Sequence, residues 1–174
     1  MDAREVPHRS VQVGPAPVPL EQWRLAVDGL VQHPLALSRA ELAAHPVELL
    51  GDSSVRCPDG FGISGGTYAG VRMETVLTSV APLPEATWVA IHAGEYCVTF
   101  EIESLPRRNV FRALTRDGQD LTYETGGPVR LVMAKGACFD SAKWVDRISL
   151  ERDGSSATAL SIVKKRRAER GAAS

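Results

Sequence analysis

The sequence predicts an α+β domain, a strand-rich mixed sheet with short helices. Three observations lead there. Short runs rich in Val, Ile, Trp, Tyr and Phe recur between Gly, Pro and Asp turns. Segments with helical spacing or capping residues are few and brief. Strands and helices do not alternate as regular βαβ units, which argues against a doubly wound sheet.

Taken in order, residues 1–19 form an extended arm, because Pro7, Pro15, Pro17 and Pro19 exclude a helix. Trp23, Leu25 and Val27 alternate with polar or small residues, a half-buried strand that ends at Asp28-Gly29; Leu30-Val31 extends it past the turn. Ser38 with Glu41 three residues on is a capping-box pattern, giving a helix over about 39–44 that Pro46 closes. Val47, Leu49 and Leu50 then lead into a strand toward Cys57. Val71, Met73, Val76 and Leu77 have helical spacing, so a helix is expected to start a few residues after a glycine-rich loop and to stop near Ser79, its amide donors pointing at any anion in that loop. Trp88–His92 and Tyr96–Phe100 read as two strands joined by Ala93-Gly94-Glu95. Ile102–Leu105 reads as one helical turn before Pro106, and Val110–Thr115 as a strand before the turn Asp117-Gly118. Val129–Met133 follows as a strand after Gly126-Gly127-Pro128, and Trp144, Ile148 and Leu150 mark the last strand. Residues 20–153 form the domain, and residues 154–174 a basic tail, which could contact an acidic partner or nucleic acid but is expected to be frayed and solvated.

At 174 residues and 44% apolar the chain suits one domain with a real core, and its net charge of −1 offers no electrostatic case for nucleic acid or a membrane surface. No apolar stretch is long enough to span a bilayer, and the charged N-terminus does not read as a secretory leader. Cys57, Cys97 and Cys138 are odd in number and include no C-x-x-C pair, which points to reduced thiols in a cytoplasmic compartment.

Chemistry concentrates in three places. Val55–Val71, V-R-C-P-D-G-F-G-I-S-G-G-T-Y-A-G-V, sets Cys57 before a loop with Gly60, Gly62, Gly65, Gly66 and Gly70. Locally the commoner reading is a small buried cysteine and a plain turn. The sharper one is a thiolate, a soft metal ligand whose pKa a neighbouring Arg56 lowers, at a loop that a ligand can approach closely. Thr125-Gly-Gly-Pro-Val-Arg130 sets a guanidinium behind a rigid turn, suited to a phosphate or a pterin oxygen, or else to a surface ion pair. Gly136–Lys143, G-A-C-F-D-S-A-K, joins small residues, a hydroxyl and a lysine, either for an anionic group or as a solvated loop. Neither G-x-S-x-G nor H-E-x-x-H is present. Of the histidines only His92, near a strand end, is placed for a site, and the commoner reading of such a histidine is a structural one.

The order W-R-L-A-V-D-G-L-V, L-S-R-A-E-L, V-R-C-P-D-G-F, Y-A-G-V-R-M-E-T-V-L, G-G-P-V-R-L-V and S-A-K-W-V-D-R-I resembles the molybdopterin-binding domain of the sulfite oxidase family, which includes methionine sulfoxide reductase catalytic subunits. The resemblance covers residues 20–150. It implies molybdenum-molybdopterin, with the metal held by Cys57, and the pterin or its phosphate by Arg130 and Lys143. It further implies contacts from Ser141, Ala142, Thr125 and His92. Tyr68 stands where a tryptophan is usual. The implied activity is two-electron oxygen-atom transfer on a small substrate, with a separate electron-transfer protein as partner. Two other classes remain open from the residues themselves: a cofactor-free binding module that keeps the fold, and a thiol enzyme using Cys57 directly.

Overall fold

The computed structural model describes residues 14–51, 55–56, 62–63, 66–134 and 137–172. In chain order these form β1 (Leu25–Gly29), β2 (Leu35–Leu37), α1 (Arg39–Ala43), β3 (Val47–Leu50), β4 (Val55–Arg56), β5 (Gly62–Ile63) and β6 (Tyr68–Arg72). There follow α2 (Met73–Val80), β7 (Trp88–Ala93), β8 (Tyr96–Glu101), α3 (Leu105–Arg108), β9 (Val110–Arg116), β10 (Gln119–Asp120), β11 (Arg130–Met133), β12 (Arg147–Glu151) and α4 (Ala159–Ala172). Single 3₁₀ turns lie at Ile102–Ser104 and Cys138–Asp140.

Two five-stranded sheets and a separate two-stranded pair result, as the α+β reading expects. The first has the order β2-β1-β12-β7-β8, with β1 and β12 parallel and the other neighbours antiparallel. The second has the order β10-β9-β6-β3, with β11 also on β9. Alternation along the strands sends one set of residues from each sheet into a shared core. Leu25, Val27, Val89, Ile91, Val98, Phe100, Ile148 and Leu150 enter from the first sheet. Val71, Val110, Leu114, Leu131 and Met133 enter from the second, and α2 adds Met73, Val76, Leu77 and Val80. The outer face of the second sheet carries a smaller cluster of Leu50, Tyr68, Ala113 and Val132. That outer face bears the candidate site.

The separate pair β4–β5 lies between β3 and β6 in the chain, and its register matches theirs. Val47 faces Val71, Leu50 faces Tyr68, Val55 faces Ile63 and Arg56 faces Gly62. Cys57 follows Arg56 directly in the chain and lies outside the described residues, with Gly60 and Gly65.

Local signals set several boundaries. Ser38 Oγ accepts from the Glu41 amide while the Glu41 carboxylate accepts from the Ser38 amide, so the capping box starts α1. Asp117 and Gly118 both take positive φ, 51° and 78°, as the tight β9–β10 hairpin requires.

Other expectations are corrected. The helix expected to take in Val71, a few residues after the glycine loop, begins at Met73, because Val71 is held in the sheet by Val47 on one side and Arg112 on the other. Its N-terminus is therefore a strand's length from that loop. Arg112, fully buried on β9, fastens this strand-to-helix junction by donating to the Val71 carbonyl and to Met73 Sδ. Burial pulls its pKa down, and Glu74 opposes that shift. The helical turn before Pro106 runs on through it as α3, since proline is tolerated in a first turn. Trp144 is a left-handed turn residue with φ 58°, and the last strand starts at Arg147.

The tail is not frayed: residues 159–172 form α4, with Ala159 and Val163 buried in the core and Ile162 packed against it. Thr158 staples its start to the β7–β8 hairpin, donating to the Glu95 carbonyl and accepting from the Cys97 amide. The helix forms because Ala159, Val163 and Arg166 recur at helical spacing on one face.

Two substitutions separate the two sides of these strands. Leu25→Ala, at a fully buried position, is expected to cost about 2–5 kcal/mol. Leu49→Ala, at a side chain 74% exposed, is expected to stay within about 0.5 kcal/mol of the parent. Urea unfolding midpoints measure both, and equal midpoints would contradict the assignment of faces.

Candidate functional site

Strand β11 brings Arg130 onto the outer face of the second sheet, because Leu131 and Met133 take the inner one. The Arg130 side chain is held from two loops. Its Nη1 donates to the Thr125 carbonyl at 3.1 Å, and its Nε to Ser141 Oγ at 3.4 Å. Ser141 Oγ in turn donates to the Leu131 carbonyl at 2.9 Å, which turns an oxygen lone pair toward the guanidinium.

The loops around residues 122–128 and 141–145 are zipped together through the backbone. Leu131 donates to the Ala142 carbonyl at 2.8 Å, Trp144 to the Gly126 carbonyl at 2.9 Å, and Val145 to the Val129 carbonyl at 2.9 Å. Trp144 Nε1 donates to the Tyr123 carbonyl at 2.8 Å, and the two aromatic rings lie 5.1 Å apart. Gly126 sits at φ 100°, and a Cβ there would meet Lys143 Cγ at 2.7 Å and Arg130 Cδ at 3.3 Å. Only glycine permits that backbone beside both cations. Lys143 Nζ donates to the Glu124 carbonyl at 3.0 Å and lies 5.5 Å from the Trp144 ring centroid.

Cationic character accumulates here. Arg130 is 6% exposed, and among the described residues no carboxylate is within ion-pair reach of it. Burial pulls its pKa down, Tyr68 raises it and Arg116 lowers it again. Burial also lowers the Lys143 pKa, and Arg130 adds to that. Arg116 faces Tyr68 across the β6–β9 ladder and pairs with Asp117 at 3.5 Å. The Tyr68 ring is thereby approached by two guanidiniums, Arg116 at 5.9 Å and Arg130 at 6.0 Å, at the limit for cation–π attraction. The nearby acid Asp140 is turned into its own 3₁₀ turn, where its Oδ2 accepts from the Ala137 amide at 2.9 Å; burial raises its pKa.

The structure thus brings together Thr125, Arg130, Ser141, Ala142 and Lys143. Thr125 contributes its carbonyl to Arg130, while its hydroxyl closes the turn with Thr122. Ala142 is fully buried and acts through its backbone. His92 is placed elsewhere: its side chain lies on the outer face of the first sheet, with Nε2 3.1 Å from Ser149 Oγ. No hydrogen bond or ring contact joins it to the Arg130 group among the described residues. Burial lowers its pKa, and Arg147 lowers it further. Cys57 lies outside the described residues. Arg116 and Gly126 were not picked out from the chain as site residues, and the facing pair Tyr68 and Arg116 follows from a register that no local pattern shows.

A buried guanidinium without a carboxylate, a lysine beside it, a hydroxyl and a bare glycine form a donor set for an anionic group. Phosphate and oxygen-rich heterocycles such as a pterin fit that chemistry.

Comparisons with known proteins agree. The sequence model of the oxidoreductase molybdopterin binding domain matches residues 13–159. The chain is 27% identical over 135 residues to the uncharacterized oxidoreductase YuiH of Bacillus subtilis, covering 77% of this chain and 68% of that protein. It is 25% identical over 167 residues to the NADPH nitrate reductase of Aspergillus niger, covering 79% of this chain but 19% of that enzyme. Its fold superposes on the sulfane dehydrogenase SoxCD of Paracoccus pantotrophus with a TM-score of 0.73 at 23% identity, covering 79% of this chain and 40% of that one. The chain belongs to the oxidoreductase molybdopterin binding domain family.

Proposed function

We propose that the domain holds molybdenum-molybdopterin and performs two-electron oxygen-atom transfer on a small substrate in the cytoplasm, exchanging electrons with a separate electron-transfer protein. The observation that carries this reading is Arg130, a buried cation with no carboxylate among the described residues. Such a group is stable only if an anion or several dipoles compensate it. When bound, the cofactor supplies a two-electron change at molybdenum coupled to oxygen-atom transfer.

The chain's own residues do the rest. Arg130 and Lys143 receive the phosphate end, Arg130 as a planar donor and Lys143 as a point charge. Ser141 and the Thr125 carbonyl fix the guanidinium's orientation before any ligand arrives. Gly126 keeps side-chain bulk out of the space beside both cations. The backbone of Ala142 ties its loop to β11. Cys57, next in the chain after β4, is assigned the thiolate that holds the metal. His92 is the weakest member of the proposed set, since its side chain is engaged by Ser149.

Metal analysis of protein made in a cofactor-competent host tests the reading. Wild type is expected to carry stoichiometric molybdenum and a cofactor absorbance, and Cys57→Ser to lose most of both. Wild type free of molybdenum, or Cys57→Ser retaining as much as wild type, would overturn it in favour of a cofactor-free module.

Two further variants address the cradle by cofactor retention on dialysis. Arg130→Gln removes charge-assisted bonds that contribute about 1.5–3 kcal/mol, so retention is expected to fall roughly 10- to 100-fold. Gly126→Ala forces a side chain into left-handed backbone, at about 1–2 kcal/mol, and against Lys143. Its expected signature is a lower thermal midpoint together with weaker retention. Unchanged retention in both would remove Arg130 and its loop from the site.

A further inference from the structure

Helix α4 places a positive pole on an otherwise acidic chain. Lys164, Lys165, Arg166, Arg167 and Arg170 against Glu169 give it a net charge of +4, so a whole-chain charge of −1 leaves −5 on all other residues. The helix begins where the family match ends, at residue 159, so most of it lies beyond the matched segment.

Its two faces differ. Ala159, Val163 and Arg166, at i, i+4 and i+7, look inward; the first two are buried, and Arg166 pairs with Glu95 at 2.9 Å. Leu160, Lys164 and Arg167 repeat the same spacing on the outward face, flanked by Lys165. Leu160 is 46% exposed, an apolar contact among cations.

The helix is also joined to the candidate site through few intermediates. Arg166 and Thr158 both bind Glu95, on the β7–β8 turn. The next residue, Tyr96, donates its hydroxyl to the Phe139 carbonyl, in the 3₁₀ turn that runs directly into Ser141 and Lys143. The inward side of α4 is therefore connected, through Glu95, Tyr96 and the turn at Phe139, to the loop that holds Arg130.

We infer that the outward face of α4 is the docking surface for an acidic electron-transfer protein. The kind of partner rests on the oxidoreductase reading above; the surface does not. A compact patch of cations around one apolar side chain matches a patch of carboxylates of similar size, which steers encounter and sets orientation. A nucleic acid duplex calls for phosphate contacts along an extended surface, whereas the exposed cations here are confined to two turns of one helix. An interfacial membrane helix needs a continuous apolar face, where α4 exposes Leu160 between charges.

The test uses the full chain carrying its cofactor, with a flavodoxin as the acidic probe and a cytochrome c as the basic counter-probe. Wild type is expected to bind the flavodoxin at low salt, more weakly as salt rises, and to ignore the cytochrome. Lys164→Glu with Lys165→Glu is expected to lose roughly tenfold or more in affinity. Lys164→Gln with Lys165→Gln, the gentler pair, should lose part of that. Molybdenum content and thermal midpoint should not change in either pair. No flavodoxin binding by wild type, or equal affinity in the charge-reversed protein, overturns the proposal. So does tighter binding, at matched salt, of a short DNA duplex or of phosphatidylglycerol vesicles. Wild type that lacks molybdenum yet binds flavodoxin through Lys164 and Lys165 would sink the oxidoreductase reading while leaving the surface assigned.

Discussion

Taking a guanidinium out of water without giving it a carboxylate is unfavourable by several kcal/mol. The arrangement around Arg130 answers that constraint with dipoles in place of charge. The Thr125 carbonyl, Ser141 Oγ and the Tyr68 ring supply partial negative charge from three directions. Each of these partners must then be held in place by something else. The cross-loop hydrogen bonds at Leu131, Trp144 and Val145 hold the loops, and Gly126 and left-handed Trp144 let them approach. What remains is a nearly buried guanidinium whose charge is balanced by dipoles and not by a carboxylate among the described residues.

This division also explains the two-sheet design. The inner faces of both sheets and α2 make one apolar core, and no polar side chain of the Arg130 group enters it. The chemistry is confined to one outer face, where β6, β9 and β11 place Tyr68, Arg116 and Arg130. Polar groups there gain strength from partial burial, while the core stays dry.

Features that depend on neighbours in the chain were legible in the sequence. The Ser38–Glu41 box, the Asp117-Gly118 turn and the strands around Val89 and Val98 act through contacts within a few residues. The Arg130 and Lys143 loops were legible as cation-bearing turns because glycine, proline and charge stand side by side. Other features were decided far along the chain. Val71 has helical spacing, yet Val47 and Arg112 claim its backbone for the sheet. Trp144 has strand-like spacing to Ile148, yet Gly126 draws it into a turn. Arg166 and Val163 looked like part of a solvated basic run until Glu95 and the core gave them partners. The cluster of Arg116, Tyr68 and Arg130 exists only once β6, β9 and β11 are side by side.

The first sheet has one more consequence. Its middle strand is β12, flanked by β1 in parallel and β7 in antiparallel pairing. During synthesis β1 and β7 leave the ribosome well before the strand that must separate them. Until residues 147–151 emerge, β1 has only β2 beside it and β7 only β8, and the edge of each that β12 will cover stays open to misassociation. The sheet is thus completed only once residues 147–151 are available to join its two halves. The loop with Ser141 and Lys143 immediately precedes that strand, so loop and strand become available together in chain order.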